Sequence, residues 1–80
     1  MKFALYYYDS CPFCQRVLRV LPNLNVEVEK RNVISSSEYR KEHYEATGRS
    51  TVPCLRMEDD NGQVTWMFES ADIIRFLQAQ

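Results

Sequence analysis

The chain has 80 residues, a formal net charge of −1 and an apolar content of 45%, which is material for one domain with a thin core. That charge balance gives no electrostatic footing for nucleic acid or an anionic membrane, and no apolar run approaches the length of a bilayer span. The opening MKFALYYYDS is too short and too aromatic for a signal peptide, so a cytoplasmic location is expected.

In chain order, Phe3 to Tyr8 is an apolar, aromatic run that predicts a buried strand, ended by Asp9-Ser10. A helix is predicted to start at the pair Cys11 and Cys14, with Pro12 in its first turn, where a missing N–H costs nothing. Val17, Leu18 and Leu21 follow at helical spacing, and Pro22-Asn23 stops the run. Asn25 to Val33 alternates and reads as a second strand with Val26 and Val28 on one face. Ser35 and Glu38 have the spacing of a capping box before a highly polar helix that Gly48 should stop, and His43 on that helix is expected to face solvent. Thr51 to Met57 reads as a third strand carrying an awkward proline, Pro53, and Asp59-Asp60-Asn61-Gly62 predicts a hairpin turn into a fourth, Gln63 to Phe68. Ser70 can cap a last helix with Ile73, Ile74, Phe76 and Leu77 as its apolar stripe. The order βαβαββα predicts a single α/β domain over residues 1–80: a four-stranded mixed sheet flanked by three helices.

Three cysteines is an odd count for a small fold stapled by disulfides. Cys11, Cys14, Cys54 and His43 meet the ligand count of a zinc site, but structural zinc sites usually show two close ligand pairs and only one exists here. A Cys-x-x-Cys at a strand-to-helix junction reads instead as a redox motif. Cys11 stands where unpaired helix N–H groups and the positive end of the helix dipole favour a thiolate, the attacking species in disulfide exchange. Cys14, one turn along, is within reach to close a disulfide; Cys11 is expected to be exposed and Cys14 more buried. Pro53 adds to this reading, because proline inside a strand removes a ladder donor. A cis Val52–Pro53 bond would account for it and leave Val52 backbone groups free for an extended ligand.

CPFC at a strand-to-helix turn, TVP before the third strand and the acidic-serine pair before the last helix together resemble a glutaredoxin of the thioredoxin fold. YYYDSCPFC and FESADIIRFL are similar, more narrowly, to the N-terminal domain of the larger bacterial glutaredoxins related to glutathione transferases. A helical second domain follows in those proteins; this chain ends at Gln80, so a stand-alone module is expected. The resemblance implies a glutathione-dependent thiol–disulfide oxidoreductase, a monomer acting on disulfide-bearing or glutathionylated proteins without a metal. It makes Cys11 the nucleophile and Cys14 the resolving thiol. Thr51, Val52 and Pro53 would hold the glutathione backbone, and Glu69 and Ser70 its γ-glutamyl end. Tyr8, Pro12 and Phe13 border the thiol, with Phe13 able to pack its ring on a bound partner.

Two departures concern the far end of glutathione. Many small glutaredoxins have a lysine where this chain has Tyr8, and a glycine pair where it has Met67-Phe68. Arg49, two residues before Thr51, is the candidate for the glycine carboxylate. Cys54 reads as a small core residue. Other classes remain open at this level: a carrier of a [2Fe–2S] cluster bridged between two copies, against which the stiff, crowded Pro12-Phe13 pair argues, and a thioredoxin-fold module that docks without turnover.

Overall fold

A computed structural model describes all residues, 1–80. Strand β1 (Lys2–Tyr7) leads into helix α1 (Pro12–Val20), which tightens into a 3-10 turn at Leu21–Asn23 before strand β2 (Val28–Asn32). Helix α2 (Ser37–Thr47), the hairpin of β3 (Cys54–Glu58) and β4 (Val64–Phe68), and helix α3 (Ser70–Gln78) complete the chain. The sheet order is β2-β1-β3-β4. β1 and β2 run parallel across the α1 crossover, while β3 is antiparallel to β1 and β4 antiparallel to β3. The predicted βαβαββα order and four-stranded mixed sheet are therefore the observed ones.

Strand alternation sends β1 side chains to two different cores. Phe3 and Leu5 join Val17, Leu55, Ile73 and Leu77 beneath α1 and α3. Ala4 and Tyr6 face the other way, with Cys54 and Val33, where Tyr39, Trp66 and Phe68 pack against them. The sheet is thus covered on both faces, and β1 is buried from Phe3 to Tyr6 because it is central to both layers.

Some boundaries differ from those the sequence predicts. β2 begins at Val28, since the 3-10 turn and the loop after it occupy the chain up to Glu27; Val26 nonetheless packs against the α1/α3 core beside Val28. α2 is capped by Ser36, whose hydroxyl accepts from the Tyr39 amide at 3.3 Å, and not by Ser35. The cause is Asn32: its side-chain oxygen accepts from the amides of Ile34 and Ser35 at 2.9 and 3.1 Å, so Ser35 is spent in that turn. Gly48 stops α2 with φ 69, the left-handed conformation a helix C-cap favours. β3 starts at Cys54 rather than Thr51, because Pro53 has no N–H to give the ladder.

Candidate active site

The site is built at the end of the sheet where β1 gives way to α1. A turn from Tyr8 to Cys11 is closed by the Cys11 amide donating to the Tyr8 carbonyl at 3.3 Å. Cys11 is the N-cap of α1, with extended backbone (φ −83, ψ 116), and Pro12 takes the first helical position. The cap is the thiol itself: the Cys14 amide donates to Cys11 Sγ at 3.3 Å. Gln15 ties the turn down, its side-chain amide donating to the Asp9 carbonyl at 2.6 Å.

Cys11 is only 4% exposed, against the expectation of an open thiol. Its side chain folds inward as the helix cap, and the Val52 carbonyl lies 3.9 Å from its sulfur across the site. Cys14 is fully buried. Burial, and then the hydrogen bond with Cys11, push its thiol up to about 12. All three cysteines are free thiols.

Opposite Cys11 stands the segment before β3. Thr51 is exposed, Val52 half-buried and Pro53 buried, and the Val52–Pro53 peptide bond is cis. Cys54 pairs with Phe68 across the hairpin, which brings Glu69 and Ser70 alongside Val52 and Pro53. Ser70 opens α3 and is 7% exposed. Glu69, exposed before it, has φ 76 and ψ 115, a conformation that side-chain-bearing residues rarely adopt. Tyr8 is half-buried, packed against the α2-side core, while Phe13 projects its ring with 58% exposure. The guanidinium of Arg49 lies 3.9 Å from the centre of the Phe68 ring, next to Glu69 in sequence, and takes part in none of the ion pairs of the fold.

The structure therefore gathers Cys11, Cys14, Val52 and Pro53 closely, with Glu69 and Ser70 beside them and Arg49 at the Phe68 rim. It does not gather the four side chains that satisfy a zinc count. Cys54 sits on the α2 face of the sheet, whereas α1 covers the other, and no three His, Cys, Asp or Glu side chains cluster as metal ligands.

His43 departs most from expectation. It is 1% exposed, with its ring stacked on Tyr6 at 5.3 Å and 6.0 Å from Phe68. Burial, with a smaller contribution from the Arg49 charge, lowers its pKa, and its Nε2 has no hydrogen-bond partner. The signal was present in Tyr39 and His43, two aromatic rings four residues apart on one helix face. The Gln15 and Asn32 clips had no such signal, since both depend on where the turns fall.

Residues 3–61 match the glutaredoxin family. No curated protein matches the chain. Among solved structures, a trimeric glutathione transferase of Leishmania is 31% identical with a TM-score of 0.72, covering 94% of this chain and 17% of its own. A glutathione transferase homologue from Sulfitobacter, solved with glutathione bound, is 18% identical with a TM-score of 0.73, covering 98% of this chain and 36% of its own. A dithiol glutaredoxin of Trypanosoma brucei brucei is 23% identical with a TM-score of 0.66, covering 96% of this chain and 86% of its own. The last two establish a shared fold. The chain thus spans about a sixth and about a third of the two transferase-type structures.

Proposed function

Because this chain belongs to the glutaredoxin family, whose members and fold support thiol–disulfide exchange, we propose that it is a glutathione-dependent oxidoreductase working through Cys11. The observation that carries the reading is the Cys11 cap: a sulfur accepting the Cys14 amide at 3.3 Å and facing the Val52 carbonyl at 3.9 Å. Glutathione is the proposed co-substrate; the Sulfitobacter homologue of the same fold was solved with glutathione bound.

Thr51, Val52 and Pro53 would receive the cysteinyl part of glutathione as a short strand does, and Glu69 with the first amides of α3 at Ser70 its γ-glutamyl group. The unusual backbone of Glu69 fits that role, since strained positions cluster where a ligand is held. Arg49, free of ion pairs, is offered for the glycine carboxylate, and Tyr8, Pro12 and Phe13 wall the side where the substrate leaves.

In the reaction, Cys11 thiolate attacks the glutathione sulfur of a mixed disulfide. The S–S bond breaks, the partner leaves as a thiolate that takes a proton from solvent, and Cys11 is left bonded to glutathione. A second glutathione thiolate attacks the glutathione sulfur of that intermediate, giving glutathione disulfide and restoring the Cys11 thiolate. With a protein disulfide, Cys11 thiolate first attacks one substrate sulfur, releasing the other as a thiolate and forming a mixed disulfide. Cys14 can then lose its proton to solvent, attack Cys11 Sγ and expel the substrate as its second thiolate, closing Cys11–Cys14. Burial raises the Cys14 thiol, and a thiol held protonated at neutral pH is a slow attacker.

The adduct itself is the test. A Cys14→Ser protein exposed to glutathione disulfide should gain one glutathione by intact mass, mapped by peptide analysis to Cys11. No adduct, or one on Cys54, would remove Cys11 from the reaction.

A further inference from the structure

The two outer strands of the sheet are not alike. β2 carries Glu29, Lys30 and Arg31 in succession, the charged type of edge that resists pairing with another strand. β4 reads Val64-Thr65-Trp66-Met67-Phe68, without charge, proline or glycine. It pairs with β3 and with nothing on its other side.

The hydrogen-bond phase shows what that side offers. The Asp59 amide donates to the Gln63 carbonyl at 3.0 Å, and these residues stand opposite one another by the hairpin register. Antiparallel ladders alternate, so Thr65 and Met67 turn their backbone groups to β3, and Val64, Trp66 and Phe68 turn theirs outward. The Val33 amide bonding the Tyr7 carbonyl fits the same phase carried across the sheet.

We propose that this edge pairs with the β4 edge of a second copy, antiparallel, about a two-fold axis at Trp66. In that register Trp66 stands opposite Trp66 and Val64 opposite Phe68. All are residues with outward-facing donors and acceptors, so each pair exchanges two hydrogen bonds. On the other face Thr65 meets Met67. No charge opposes a like charge, and Val64, Trp66 and Phe68 each meet an apolar side chain, so the edge is complementary to itself. The occupant is therefore a second copy rather than an arbitrary peptide. Because β4 ends beside the Cys11 site, the two sites fall at opposite ends of a joined eight-stranded sheet and both stay open. A strand-sized interface places the dissociation constant at about 0.01–1 mM.

Sedimentation velocity from about 10 µM to about 1 mM, spanning that range, tests it together with emission from the single tryptophan, Trp66. The mass should double as concentration rises, and the emission should move to the blue as Trp66 is covered. Thr65→Lys sets two ammonium groups on a close diagonal across the axis; Thr65 is exposed, so the monomer keeps its fold and its activity. Val64→Pro removes one outward N–H at the strand's first residue, where proline is tolerated. Both variants should stay monomeric with unchanged circular dichroism. A monomer at every concentration would overturn the proposal, whether the edge is then bare or taken by a strand of another protein. So would a dimer that both variants retain.

Discussion

His43 presses its ring flat on Tyr6 in the layer under α2, with one nitrogen unpaired. Its pKa is lowered from the ordinary 6.5, first by burial, so the folded protein favours the neutral ring. The unfolded chain binds the proton more readily, and the stability His43 allows is complete above about pH 6.5 and declines as pH falls below it. His43→Phe keeps an aromatic ring and removes the orphaned nitrogen. It should leave stability at neutral pH equal or raised by about 1 kcal/mol and flatten the decline toward about pH 5; urea melts at both pH values read this directly. Glu69 is the second residue with a conformational cost, about 1–3 kcal/mol for backbone in this region. Glu69→Gly should raise stability by about 1 kcal/mol while raising the KM for glutathione several-fold; an unchanged KM would take Glu69 out of the binding site. The sequence points to Glu69 through the resemblance its pair with Ser70 carries, but φ 76 belongs to the turn from β4 into α3, which no residue type announces.

Helix α2 shows how an element can be right and its start wrong by one residue. Ser35 alone has a glutamate at capping-box spacing, Glu38; what selects Ser36 instead is Asn32 taking the Ile34 and Ser35 amides from the strand side. Ser36→Ala should cost about 1 kcal/mol in thermal or urea unfolding, while Ser35→Ala should stay within about 0.5 kcal/mol. Equal losses would mean the cap is shared. The same helix lies largely in solvent, as its mostly polar residues imply, and only His43 departs from that. Its inward stripe is only buried His43 between half-buried Tyr39 and Thr47, too narrow for composition to reveal.

For the molecule as a whole, alternating strand and helix patterns and the Asp59–Gly62 turn made the element order and the mixed sheet legible. That β3 lies beside β1, on the side away from β2, is settled by three-dimensional packing: β1 is the apolar strand able to be buried on both faces. The CPFC and TVP segments were legible as a pair, yet their approach across the site to 3.9 Å is a product of that strand order. Three buried acids set the alkaline limit. Burial pushes Cys14 and Cys54 from 9.0, and Tyr6 from 10.0, up to about 12. Each folded-state value is raised, so the protonated form is favoured by folding. Stability holds below pH 9 and is lost as pH rises from there toward 12. Thermal melts between pH 7 and about 11 should show that decline, and Cys54→Ala should make it shallower even though its cavity lowers the whole curve.

The most direct test of the central claim is glutathione-dependent turnover of a small glutathione mixed disulfide, coupled to glutathione reductase, by wild type, Cys11→Ser and Cys14→Ser. Wild type and Cys14→Ser should both turn over, within about ten-fold of each other, while Cys11→Ser falls by at least about 100-fold. Activity surviving in Cys11→Ser, or a wild type inactive with glutathione, would contradict the account.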